Sequence, residues 1–207
     1  MAISYPLTFP TVAEQSRISI RLSDVVGLQS SPFSFEQTIY DWGGDRLEAD
    51  VELPPMKRAD AEEFVAFLWA LRGPLGTFLM GDPVGASPRG TWAGSPLLVG
   101  AHAAGARTLS VDGFTGGATG KAGDWIQFGS GSSTRLHKVL QDFTADGGGA
   151  ATIEIAPRLR AALADNEPLV SSSCKGRWRL ASNVREYSIE LAQIYGLRFS
   201  CIEALDG

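Results

Sequence analysis

The feature that most constrains this chain is a strict alternation that ends in a proline pair. In Arg46-Leu47-Glu48-Ala49-Asp50-Val51-Glu52-Leu53, residues Leu47, Ala49, Val51 and Leu53 fall on one side and Glu48, Asp50 and Glu52 on the other, because successive side chains of a strand point in opposite directions. The segment therefore needs a core on one face and water or a partner on the other. Pro54 and Pro55 end it, since neither donates a ladder hydrogen bond and the residue before a proline is pushed out of helical angles. The period then changes. Ala61, Phe64, Val65, Leu68, Trp69 and Leu71 recur at three- and four-residue spacing, which predicts a helix over 57–72. Asp60, Glu62 and Glu63 sit where its dipole favours negative charge, and Gly73-Pro74 stops it. Lys57 occupies the position where a serine or threonine cap would serve better. Leu68 and Trp69 are expected to pack on the strand face that carries Val51 and Leu53.

Around this unit the chain reads as strands. Ile18, Ile20 and Leu22 alternate with Arg17, Ser19 and Arg21; Phe35–Trp42 forms a second run, with Gly43-Gly44 expected as the hairpin turn that pairs it with 46–53. Thr77–Met80 reads as a short strand and Gly81-Asp82-Pro83 as a turn. Composition then shifts: 15 of the 24 glycines fall between Gly85 and Gly149, separating short runs at Thr108–Val111, Trp125–Phe128, Leu136–Val139 and Thr152–Ile155. Closely spaced short strands with glycine turns predict a small barrel or sandwich. The loops at 115–120, 130–133 and 146–149 read as mobile. The earlier style returns in strands at 177–180, 187–191 and 197–202. The expected fold is therefore mainly β with one principal helix: a split domain, 1–88 plus 173–207, interrupted by an inserted barrel, 89–172, which should be removable without unfolding the rest.

Composition narrows the function classes. A net charge of −5 argues against a general nucleic-acid binder. The longest apolar run, around Phe64–Leu71, falls far short of the roughly 20 residues of a membrane span, and Met1-Ala-Ile-Ser-Tyr-Pro has no export-signal pattern. Two cysteines, Cys174 and Cys201, fit packed thiols better than a disulfide framework.

A search for chemistry returns near-misses. Gly116-Gly-Ala-Thr-Gly120-Lys121 is one residue short of a phosphate loop and has Ala122 where a hydroxyl residue belongs. Gly129-Ser-Gly131-Ser-Ser lacks both the third glycine of a dinucleotide site and the serine spacing of a nucleophile elbow. His102 and His137 are the only histidines, and neither has a second ligand at helical spacing. No catalytic, cofactor or metal residue is assigned. Trp92, Phe114, Trp125, Phe128 and Phe143 read as filling of the barrel, with a sugar platform as the alternative. Charge is uneven: 45–63 carries seven acidic and three basic residues, and 158–185 carries six basic and two acidic. Glu48, Asp50 and Glu52 on one side and Arg177 and Arg179 on the other are thus candidates for the two halves of a head-to-tail subunit interface. Alternatively, the acidic row lines a lumen.

Several blocks carry a resemblance. Tyr5-Pro-Leu-Thr-Phe-Pro, Glu48-Ala-Asp-Val-Glu-Leu-Pro-Pro-Met-Lys-Arg-Ala-Asp-Ala-Glu, Gly76-Thr-Phe-Leu-Met-Gly-Asp-Pro83, Ala122-Gly-Asp-Trp-Ile-Gln-Phe-Gly129 and Leu191-Ala-Gln-Ile-Tyr-Gly196 resemble the distal tail proteins of long-tailed bacteriophages and prophages. The resemblance implies a β-sandwich belt domain with one helix and an inserted barrel of oligonucleotide/oligosaccharide-fold type. It also implies a non-enzymatic virion protein, assembled in the host cytoplasm as a hexameric ring between tail tube protein and tail-tip hub protein, with DNA only as passing cargo. A second function class, recognition of a host surface glycan through the insert, remains open from the sequence.

Overall fold

The alternating segment is the inner half of a much longer strand. The computed structural model describes residues 3–11, 17–189 and 194–206; Glu190 and Leu191 of the strand expected at 187–191, and the first three residues of the 191–196 block, lie outside them. In chain order the strands are β1 (Leu7–Thr8), β2 (Arg17–Ser30), β3 (Gln37–Glu52) and β4 (Met56–Lys57), followed by helix α1 (Arg58–Ala70) and β5 (Phe78–Met80). The glycine-rich section holds β6 (Gly94–Leu98), β7 (Thr108–Phe114), β8 (Thr119–Gly120), β9 (Trp125–Phe128), β10 (Arg135–Val139), β11 (Phe143–Thr144) and β12 (Ala151–Ala156). The last section holds β13 (Gly176–Leu180), β14 (Ser188–Ile189), β15 (Ile194–Gly196) and β16 (Arg198–Glu203). The fold is mainly β with one α-helix among the described residues.

The main sheet runs β1-β5-β13-β16-β3-β2, so strands from both ends of the sequence interleave. Leu47, Ala49 and Val51 of β3, Cys201 of β16, Trp178 and Leu180 of β13, and Phe78 and Met80 of β5 are buried in one cluster with Ala61, Phe64, Val65, Phe67 and Leu68 of α1. A three-stranded sheet, β14-β15-β4, adds Met56 and Tyr195 to that cluster. The helix begins at Lys57 without a side-chain cap, as the sequence implies. Two expectations need correction. Trp69 is 58% exposed while Phe67 is buried; both lie at the margin of the apolar stripe, and Phe67 reaches Phe78 and Phe9 edge-on. Gly43-Gly44 is not a turn. β3 runs straight through it, the β2–β3 register shifts opposite it between Val25 and Val26, and the chain reverses instead at Ser31–Glu36, where Phe35 takes a positive φ. Gly43, at φ +65°, supplies the freedom that a bulge needs as readily as a turn does.

The glycine-rich section forms a curled half-barrel, β6-β7-β12-β10-β9, with its own cluster around Leu98, Leu109, Ile126, Phe128, Ile153 and Ile155. Segment 167–170 bridges the sheet's two edges: Leu98 donates to the Glu167 carbonyl and Leu169 to that of Pro96, while Gln127 and Val170 exchange bonds. The loops read as mobile are hydrogen-bonded turns. Asp146 accepts from the amides of Gly148 and Ala150, Ser130 and Ser133 bond reciprocally, and Ala118 donates to Thr115. Short polar side chains provide these bonds locally, so glycine content alone misread them.

Candidate assembly interface

The polar face of the main sheet collects every residue named from the sequence as an interface candidate. Register places Asp50 beside Ser200 and Ser19, Glu48 beside Ile202 and Arg21, and Arg179 beside Ile202. Glu48, Asp50, Glu52, Arg177 and Arg179 therefore share one face of one sheet, separated by β16. Arg21 bridges Glu48 at 2.9 Å and also pairs with Asp50. Arg46 takes the other Glu48 oxygen at 2.8 Å, and Ser200 donates to Asp50 at 2.5 Å. The hydrogen bond from Ser200, and then that from Arg21, hold the Asp50 carboxyl below its usual range; Arg46 and Arg21 do the same for Glu48. Arg177 is only 7% exposed, donates to the Ala204 carbonyl and pairs with Asp206, so it has little surface to offer another copy. Arg179 also pairs with Asp206.

The oppositely charged segments do meet, but within one chain. Asp45, at the buried start of the inner half of β3, lies 2.5 Å from Arg160, 3.1 Å from Arg107 and 3.6 Å from Arg158. Arg160 also grips Glu203 of β16 with two nitrogens, at 2.9 and 2.6 Å, and Glu203 accepts from the Leu47 amide. Asp45 and Glu203 are both buried. This network ties the half-barrel to the main sheet, and Trp125 and Leu136 of the half-barrel enter the main sheet's core cluster. Removal of 89–172, expected from the sequence to leave the rest folded, would take Arg107, Arg158 and Arg160 away from the buried Asp45 and Glu203 and take Trp125 and Leu136 out of the core cluster. Sequence order hid the pairing, since Asp45 and Arg160 are more than a hundred positions apart.

Beyond Val25 and Gly44 the two strands leave the body as an arm. From there to the turn, all described residues except half-buried Gly27, Ser31 and Gly43 are exposed, and the free length of about six residues spans roughly 20 Å. Val26, Leu28 and Ile39 share one side; Tyr40 and Trp42 stack on the other with centroids 6.2 Å apart. Phe33 and Phe35 at the tip are 96% and 80% exposed, and Trp42 is 67% exposed. A two-stranded ribbon is marginal alone, and clustered exposed apolar side chains mark a binding surface. The sequence signal was present in Phe33, Phe35, Ile39, Tyr40 and Trp42, but placing the turn at Gly43 sent this run back onto the body.

Other candidates resolve as structure. Trp92, Phe114, Trp125 and Phe128 are buried and offer no face to a sugar, and half-buried Phe143 packs edge-on against Trp92 at 5.1 Å. Lys121 of the glycine loop pairs with Asp142 at 2.8 Å. Asp124 accepts from the amides of Arg89, Gly90 and Lys121 and from the Trp92 indole; burial pushes its carboxyl up, and these donors bring it below the ordinary value. Cys174 and Cys201 are buried free thiols, and burial pushes Cys174 up to about 12. Among the described residues no group of three or more metal-ligating side chains is found, and no helix is long and apolar enough to cross a membrane. Searches against protein-family models and curated proteins found no match.

Proposed function

We propose that this chain is a structural subunit of a ring at the distal end of a bacteriophage tail, joining tail tube to tail-tip hub. The observation that carries the reading is the apolar arm formed by the outer halves of β2 and β3. It exposes aromatic and β-branched side chains on both faces, which a chain acting alone would lose nothing by replacing with polar ones. A head-to-tail ring supplies a repeated groove for such an arm, because in that symmetry each subunit offers one surface and receives another. The sequence blocks resembling distal tail proteins supply the setting, and the reading assigns the chain no catalytic role. Burial of four of the five barrel aromatics weighs against the glycan-binding alternative.

Negative-stain averages of the purified protein, alone and mixed with tail tube protein from the same particle, test the reading. Closed rings that cap tube ends are expected. Monomers that ignore the tube at high micromolar concentration would contradict it.

A further inference from the structure

The half-barrel has an open mouth beside the main sheet, and its lining is chemically unusual. A cavity of about 320 Å³ lies there, at the lower end of the range for small-molecule sites, which recur in the mouths of β-barrels. Phe128, Arg135 and His137 reach it from the inner face of β9 and β10, where Arg135 is paired with Phe128 and His137 with Ile126. Leu163 and Glu167 close one side, Arg177 reaches in from the main sheet, and exposed Ala161 and Ala162 mark the opening.

Three buried polar atoms here have no hydrogen-bond partner among the described residues: Nε of Arg135, Nε of Arg177 and Nε2 of His137. Buried polar atoms are nearly always bonded, so three around one cavity are a signal. Each has a defined character. Arg135 donates through its Nη1 to the carbonyls of Ser132 and Thr134, at 3.1 and 2.9 Å, and forms no ion pair among the described residues. Burial, and then the nearby Arg177 charge, lower its pKa. The Nδ1 of His137 lies 2.7 Å from the Pro157 carbonyl. A carbonyl only accepts, so Nδ1 carries the proton and Nε2 presents a lone pair. Burial pushes the ring's pKa down to about 4, which keeps it neutral near pH 7. Arg160 also borders the cavity, but its guanidinium is committed to Asp45 and Glu203. The mouth thus offers two guanidinium Nε–H donors, that of Arg177 on a side chain whose Nη2 is held by the Ala204 carbonyl and Asp206, together with one neutral acceptor and an apolar wall of Phe128 and Leu163. The Glu167 carboxylate on the rim disfavours a second negative charge.

We propose that the barrel mouth binds a small organic hydroxycarboxylate, with its carboxylate against Arg135 and Arg177, its hydroxyl donating to Nε2 of His137, and its apolar body against Phe128 and Leu163. The proposal rests on neither ring assembly nor the arm.

Titration of the full-length protein with mandelate, phenylacetate and inorganic phosphate, followed through the histidine ring nitrogens by NMR, tests this. With only two histidines in the chain, the His137 signals are separable. Mandelate is expected to bind saturably and move the His137 Nε2 resonance. Phenylacetate, which lacks only the hydroxyl, should bind about tenfold more weakly, the factor for one hydrogen bond of ordinary strength. Arg135→Gln should weaken mandelate at least tenfold, and Arg135→Lys should fall between, both checked for an unchanged near-ultraviolet circular dichroism spectrum. A His137 signal unmoved by any probe at tens of millimolar would overturn the proposal and leave a mouth filled by water. Equal affinity for mandelate and phenylacetate, or binding of phosphate alone, would overturn it as well.

Discussion

The two halves of β3 follow the same backbone geometry and meet opposite fates. Leu47, Ala49, Val51 and, just past the strand, Leu53 are buried beneath the helix, whereas Ile39, Tyr40 and Trp42 of the outer half, no less apolar, stand in solvent. The inner half has neighbours on both edges, β2 and β16, and a layer over its apolar side. Among the described residues the outer half has β2 alone. Apolar character therefore does not decide burial within one chain; the number of layers available does. Where the chain supplies no layer, the side chains are kept for something else.

That contrast can be broken from the body's side. Asp45→Ala should cost about 3–5 kcal/mol, the range for removing one partner of a buried ion pair. Chemical denaturation would show it, and a loss below about 1 kcal/mol would mean that the Asp45–Arg160–Glu203 network does not hold the half-barrel to the sheet. Leu68→Ala should cost about 2–5 kcal/mol as a buried truncation, while Trp69→Ala, one position along, should stay within about 0.5 kcal/mol. Equal losses at the two sites would place the helix in a different rotation.

His137 sharpens the contrast by pH. Its folded pKa, about 4, lies below the ordinary value, so the unfolded chain binds the extra proton first. The stability this provides is fully present above about pH 6.5 and drains away as pH falls towards 4, by up to about 1.4 kcal/mol per pH unit. Denaturation midpoints across that window should fall with acid in the wild type and less steeply in His137→Gln; parallel slopes would show that the ring is not held neutral by burial. The smallest effect belongs to the arm. Phe33→Ser and Phe35→Ser should alter unfolding of the isolated subunit by no more than about 0.5 kcal/mol, and a larger loss would mean that the tip packs on its own body.

Much of this was legible from local pattern. The alternation of 46–53, the helix with its uncapped start, and four of the half-barrel strands follow from periods of two and 3.6. What escaped depends on distance or on choices that local sequence leaves open. A glycine pair serves a bulge as well as a turn, so the arm was folded back at Gly43. Trp69 and Phe67 straddle the stripe boundary, and only the position of Phe9 and Phe78 decides between them. The pairing of Asp45 with Arg160 and the convergence of Arg135, His137 and Arg177 on one mouth join residues from separate strands. Charge counting singled out 45–63 and 158–185, but could not show that Asp45 of the first pairs with Arg158 and Arg160 of the second inside the subunit.

The most direct test of the arm as the assembly surface is sedimentation velocity of the wild type against a variant carrying Phe33→Ser, Phe35→Ser, Ile39→Ser and Trp42→Ser, over a concentration series at fixed salt. The expected result is a discrete multiple of the subunit for the wild type and a folded monomer for the variant. A variant that sediments with the wild type as the same closed oligomer would contradict it.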